Sequence, residues 1–257
     1  MRELRLQKLQ ELVLRDGSVE VEAGARELKV SRETIRRDLA ALAGQGLVVR
    51  TRGGATATGT SLTERDLDLR STEQRAEKEA IARYVADHLV EDGTSVALDN
   101  GTTMTAIARE LRGRPITVVT ASLPVINELA ASDTTVVVVG GLLRGRSMAT
   151  VGSVAEHLTR QFQCDLALMS GPAISAELGL MDTDLDAVAV KQGMLAHARR
   201  GYAVLDHTKL ERTAFTVVCP LDELTGLVTD SGVTEAALRA YRTADLDVHV
   251  ARTEEEP

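Results

Sequence analysis

Short runs of β-branched and apolar residues recur along the chain after residue 90, separated by stretches with helical periodicity. They are 95–99 (SVALD), 116–121 (ITVVTA), 134–141 (TTVVVVGG), 165–171 (DLALMSG), 202–206 (YAVLD) and 227–230 (LVTD), with 247–250 (DVHV) as a last one. A strand with one wet face alternates polar and apolar residues; these runs do not. They read as strands buried on both faces, the signature of a largely parallel sheet covered by helices on each side. From Glu73 to Glu91 the spacing of Ile81, Val85 and Leu89 predicts the first of those helices. The expected body of the chain is therefore α/β, with a Rossmann-like sheet.

In such a sheet ligands bind at the carboxyl ends of strands, where loops run into helix N-termini. Asp99-Asn100-Gly101-Thr102-Thr103 lies directly between a strand and a helical stretch holding Ile107, Ala108 and Leu111. Glycine lets the backbone approach an anion, threonine hydroxyls donate hydrogen bonds, and free amides at the helix start complete a phosphate cradle. Thr120-Ala121-Ser122 ends the next strand in the same manner, and Gly140-Gly141 the one after. Turns use such residues anyway, so the signal lies in three successive strand ends. The chain has 25 Arg and only five Lys. Lys191, in a helical stretch, and Lys209, in Asp206-His207-Thr208-Lys209 at a strand end, are candidates to meet a ligand's phosphate or hydroxyls beside Asp206. Two surface lysines would look the same.

The N-terminal quarter reads differently. Residues 1–55 hold 11 Lys/Arg against 8 Asp/Glu, a net of +3, while the other 202 residues carry −11. Leu6, Leu9 and Val13 mark an amphipathic helix ending near Asp16-Gly17, and a second short helix is expected from about Val21 to Leu28. Ser31 is placed to cap a third helix, with Glu33 in its first turn and Ile35, Leu39 and Leu42 on its apolar face. Arg32, Arg36 and Arg37 lie away from that face. Two short helices with a tight turn, the second carrying arginines, form a helix-turn-helix, where the guanidinium fork can bind guanine edges or phosphates. Leu47 to Arg50 reads as a strand and Thr51-Arg52-Gly53-Gly54 as a basic tip, so a hairpin would follow and make the head winged, with Arg50 and Arg52 near the DNA backbone.

Residues 31–55, SRETIRRDLAALAGQGLVVRTRGGA, resemble the signature of the DeoR family of bacterial regulators. Val30, Ser31, Thr34, Ile35, Arg36, Arg37, Asp38 and Leu39 match its turn and recognition helix, and Arg50, Gly53, Gly54 and Ala55 its wing. Arg52 stands where the family usually has His, and Gly24 where a Leu would pack. The resemblance continues through Glu77-Lys78, Asp99, Gly101, Thr102, Thr103, Gly140-Gly141, Gly152, Gly179-Leu180, Lys191, Asp206, Lys209 and Thr229-Asp230. Ala121 and Ser170-Gly171-Pro172-Ala173 depart from it near the expected pocket. The resemblance implies a sensor domain with a fold similar to ribose-5-phosphate isomerase, and phosphorylated sugars or their derivatives as effectors. It implies DNA contacts by Ser31, Arg32, Thr34, Arg36, Arg37, Arg50, Arg52, Gly53 and Gly54.

The expected organisation is a winged helix-turn-helix at 1–57, a linker at 58–72, an effector-sensing α/β domain at 73–252 and an acidic tail at 253–257. No apolar run reaches the length of a membrane span, and MRELRLQKLQ has no apolar leader core, so a cytoplasmic protein is expected. Cys164 and Cys219 show no metal-ligand spacing; no metal and no cofactor are expected. The leading function is a repressor of carbohydrate-metabolism genes, released from double-stranded operator DNA by a phosphorylated sugar and assembled as a homo-oligomer. Two readings stay open beside it. One is an isomerase-like enzyme with a DNA-binding accessory, in which Asp99, Asp206 and Lys209 support proton transfer. The other is a DNA-binding protein whose body only oligomerises.

Overall fold

Strand residues of the body alternate between two apolar layers, which places the sheet in the middle of that unit. In the computed structural model, residues 5, 6, 8, 9, 12, 13, 18–44, 48–51, 53–57 and 67–253 are described. The chain divides into two compact units, 1–65 and 66–257.

In the first unit Arg5, Leu6, Lys8, Leu9, Leu12 and Val13 are helical. Then come β1 (Ser18–Glu20), α1 (Val21–Glu27), α2 (Arg32–Gly44), β2 (Val48–Arg50) and β3 (Gly54–Ala57). The expected helix end at Asp16-Gly17 and the tip residue Arg52 lie outside the described residues. Strand β1 was not expected: it pairs antiparallel with β3, giving a three-stranded sheet in the order β1-β3-β2. Leu9, Val13, Val19, Ile35, Leu39 and Leu42 close one small core. Gly24 is buried in it, where an added Cβ would meet Val19, Ile35 and Leu9 at 3.4–3.5 Å. Close approach of the helices thus replaces the larger side chain of the family pattern.

The second unit opens with α3 (Leu67–Thr72) and α4 (Arg75–His88). The expected linker therefore holds a helix in its last part, and the expected 73–91 helix starts later, because Gln74, with φ 48°, breaks it from α3, and ends at His88. The sheet strands are β4 (Ser95–Leu98), β5 (Thr117–Thr120), β6 (Thr135–Val138), β9 (Cys164–Met169), β12 (Ala198–Val204), β14 (Gly226–Asp230) and β15 (Asp247–Ala251). All neighbours pair in parallel, in the order β15-β14-β12-β9-β4-β5-β6. Each of the seven expected runs supplies one of these strands.

One face packs on α4, α5 (Thr102–Glu110) and α6 (Leu123–Leu129), through Val96, Leu98, Val118, Leu166, Leu168 and Val204. The opposite face presents Ala97, Ala167 and Ala203 to a layer that includes α7 (Ser153–Thr159), α8 (Leu185–Ala196) and α9 (Glu235–Thr243). Successive residues of one strand point to opposite faces, so both layers need apolar residues, as the unbroken runs required. Two antiparallel excursions complete the unit: the hairpin β7 (Leu142–Arg144) with β8 (Ala149–Val151), and the sheet of β10 (Ala173–Ser175), β11 (Gly179–Asp182) and β13 (Thr216–Cys219). Strand order runs outward from β4 to β5 and β6 on one side and resumes at β9 on the other. The switch point is thus the gap between the carboxyl ends of β4 and β9, where a doubly wound sheet opens a crevice.

Candidate functional site

Helix α2 is built to present arginines. Ser31 Oγ accepts from Thr34 N at 3.1 Å and shares a hydrogen bond with Thr34 Oγ1 at 2.8 Å, so both hydroxyls serve the cap. Asp38 is 2% exposed and receives Arg5 Nε at 2.6 Å, which ties the opening helix to α2. With Ile35, Leu39 and Asp38 facing inward, Arg32, Arg36 and Arg37 are left 66%, 59% and 77% exposed. Among the described residues their partners are exposed carboxylates, Glu22 for Arg32 and Glu33 for the other two; such surface pairs contribute about 0–1 kcal/mol and yield readily to phosphate. Arg50 and Gly53 are exposed on the hairpin. Gly54 is not: it is buried, and a Cβ there would lie 1.8 Å from the carbonyl oxygen of Val19. Close packing and strand pairing thus account for this glycine.

At the switch point of the second unit, Lys191 reaches in from α8. Its ammonium donates to Asp99 Oδ2 at 2.5 Å and to the Ser170 carbonyl at 2.6 Å, and pairs with Asp182 Oδ2 at 3.0 Å. Asp99 Oδ2 also accepts from Ser170 N at 2.9 Å. Three acceptors match the three donors of an ammonium, and the residue is 2% exposed. Burial works against the charge on Lys191, yet Asp99 and Asp182 outweigh it and hold the amine protonated well above its ordinary range. Burial pushes the Asp99 carboxyl up, with Lys191 pulling the other way. Lys191 and Asp99, expected to touch a ligand, thus form a clamp that joins the ends of β4 and β9 to α8. Asp182, the third member, carried no signal in the sequence.

Directly after Asp99 the chain enters α5. Gly101 has φ 121°, a backbone state that L side chains rarely adopt, with open space around its Cα. No side chain caps α5, so the free amides of its first turn, at the positive end of the helix dipole, suit an anion. Thr102 is half-buried and Thr103 buried in this turn. At the end of β5, Thr120 Oγ1 accepts from Ser122 N at 3.1 Å. Ser122 Oγ is buried and finds no hydrogen-bond partner among the described residues, and the same holds for Thr229 Oγ1 in β14; a buried hydroxyl left without a partner is costly. Gly140 is half-buried beyond β6. Gly141, with φ 157°, passes so close to β8 that a Cβ would lie 2.7 Å from the Val151 carbonyl oxygen; packing explains this glycine without a ligand.

Asp206 is buried at the end of β12. Its Oδ1 accepts from Thr208 N at 3.1 Å and from Thr208 Oγ1, capping the short turn His207–Lys209. Lys209 is half-buried on this turn. The structure adds Lys78 of α4, which is 7% exposed. Its ammonium donates to the carbonyls of Arg70 at 2.6 Å and Glu73 at 2.5 Å. Burial lowers its pKa; Asp206 pulls it up, and Lys209 pushes it down. Lys78 also lines a cavity of about 650 Å³ with Ser71, Thr72, Arg75, Thr102 and Arg109. The cavity lies beside the start of α5, and its wall carries Glu79 as well as the cations Arg75, Lys78 and Arg109. Among the described residues no group of three or more His, Cys, Asp or Glu is arranged to hold a metal, and no helix is long and apolar enough to cross a membrane.

A winged helix-turn-helix with an arginine face, followed by a doubly wound sheet with a polar pocket between α4 and α5, defines a DNA-binding regulator that carries its own sensor unit. Residues 5–60 match the DeoR-like helix-turn-helix domain and residues 73–231 the DeoR C terminal sensor domain. The chain belongs to the DeoR family of transcriptional regulators. It is 32% identical to the HTH-type transcriptional repressor CsqR of Escherichia coli, covering 95% of this chain and 93% of the relative. It is equally similar to the lactose phosphotransferase system repressor of Staphylococcus aureus, with 88% and 91% covered, and to the glycerol-3-phosphate regulon repressor of E. coli, with 86% and 88% covered. Among solved structures, ribose 5 phosphate isomerase A from Neisseria gonorrhoeae aligns with a TM-score of 0.40 at 14% identity, over 55% of each chain.

Proposed function

We propose that this protein represses carbohydrate-metabolism genes and leaves its operator when a phosphorylated sugar binds at the carboxyl edge of the parallel sheet. The observation that carries the reading is the uncapped start of α5: Gly101 in a glycine-only conformation, Thr102 beside it, and the buried cation Lys78 on the wall of the same cavity. The phosphate takes the first-turn amides of α5, and Lys209 supplies a second cation. The unpaired hydroxyl of Ser122 is available to the sugar, while Lys191 and Asp99 fix the floor. The names of two relatives, repressors of a lactose phosphotransferase system and a glycerol-3-phosphate regulon, support a phosphorylated effector. Head and sensor correspond to 1–57 and 73–252, in the cytoplasm.

Binding without turnover is favoured over an isomerase, because the carboxylates such a reaction would use are engaged within the protein, Asp99 by Lys191 and Asp206 by Thr208. A homo-oligomer is supported by Val138, Leu142 and Leu143, which leave 54%, 70% and 50% of their surface exposed near the open edge at β6. The test is a gel-shift titration on the promoter region of the protein's own gene. Sugar phosphates release the wild-type protein and their unphosphorylated parents do not. Gly101→Val, strained by about 1–3 kcal/mol at this φ, still binds DNA but resists release. Equal release by unphosphorylated sugars would overturn the proposal.

A further inference from the structure

A lysine buried to 7% exposure normally sits against a carboxylate. Lys78 does not: among the described residues no acidic side chain pairs with its ammonium, and its acceptors are two neutral main-chain carbonyls, those of Arg70 and Glu73. Both belong to one short segment, the end of α3 and the turn that follows, where Gln74 takes the left-handed conformation. This segment is the first of the sensor unit and follows in sequence the stretch 58–66 that leads from the DNA-binding head. It also forms a wall of the cavity, through Ser71 and Thr72, opposite Thr102.

We infer that Lys78 is a latch between the effector site and the segment that leads to the DNA-binding head: unliganded, it holds residues 70–73 by their carbonyls, and an anionic effector at the start of α5 draws the ammonium away and frees them. This rests on the effector site proposed above. A doubly charged phosphate is a stronger acceptor for an ammonium than two amide carbonyls are. Burial disfavours the charge more than nearby Asp206 supports it, and Lys209 adds to the burden, so an anion in contact with the ammonium relieves a cost that the carbonyls do not. Ligand binding then biases the segment through differential contacts, as a switch requires.

Hydrogen exchange of the full-length protein, with and without saturating inorganic phosphate, reads both ends of the latch. In the wild type, phosphate protects the amides of 102–104 and speeds exchange at 70–74. Lys78→Met exchanges at 70–74 at least about tenfold faster without phosphate, because two charge-assisted bonds are gone, and phosphate causes no further change there. Lys78→Arg retains the phosphate response, and unchanged exchange in β4 and β9 shows that each variant is folded. If phosphate alters 70–74 in Lys78→Met as much as in the wild type, the latch is refuted while the anion site stands. If phosphate leaves 102–104 unprotected in the wild type, the anion site fails and the latch with it.

Discussion

Replacing Lys191 by Met keeps the length of the side chain and removes its charge from a site that is 2% exposed. Asp99 and Asp182, which lie 2.5 and 3.0 Å from the ammonium in the wild type, are left as a buried pair of like charges. Breaking a buried ion pair from one side costs about 3–5 kcal/mol, a large part of the 5–15 kcal/mol typical of a domain. In urea unfolding followed by far-ultraviolet circular dichroism at pH 7, the transition of the sensor unit shifts to lower urea by that amount. The deficit depends on pH. Without Lys191, burial raises the Asp99 carboxyl above its unfolded value, so the unfolded state binds fewer protons. Stability therefore falls as pH rises from the unfolded toward the folded pKa, and acidification narrows the gap to wild type. Lys191→Met with Asp99→Asn recovers part of the loss at neutral pH. If Lys191→Met unfolds like the wild type but loses effector affinity, Lys191 is a ligand-binding cation after all and the clamp is wrong.

Arg36→Ala removes an exposed guanidinium from α2 and is expected to weaken operator binding by about 1–3 kcal/mol, with unchanged thermal unfolding; fluorescence anisotropy on labelled promoter DNA measures it. Gly24→Ala adds a methyl group that meets Leu9, Val19 and Ile35 at ordinary contact distance, so the head gains about 0.5–1 kcal/mol of helix stability, read as a higher melting temperature of its transition. A loss instead would mean that the helices cannot give the last tenths of an ångström.

The seven parallel strands were legible because a strand buried on both faces needs an unbroken apolar run, and few other structures do. The wing hairpin of β2 and β3 was legible too, from the basic, glycine-rich tip between its strands; the remaining strands were not. β1, β7, β8 and β10 are three residues long, and β11 finds its partner β13 some forty residues away, as in Leu180 opposite Cys219. Pairing at that distance leaves no local periodicity. The same limit governed the site. Loop chemistry drew attention to Asp99, but nothing joined it to Lys191, 92 positions away, or marked Asp182; scarcity drew attention to Lys191. It drew none to Lys78, whose partners are main-chain carbonyls and so have no side-chain signature. Gly101 was legible, since a glycine between a strand and a threonine-rich helix start has few other uses. Gly54 and Gly141 carried the same letter for packing reasons that appear only in three dimensions.

The antiparallel pairing of β1 with β3 has a consequence for how the protein diverges. The wing is held by a strand that precedes both helices of the motif, through Val19 opposite Ala55 and Glu20 opposite Gly54. Its position is thus fixed independently of the arginines on α2. Thr51 and Gly53, exposed at the tip, are free to vary without disturbing the core, whereas any side chain at Gly54 strikes the Val19 carbonyl. Operator preference can therefore drift at the tip one residue at a time, on a support that tolerates no change at its base.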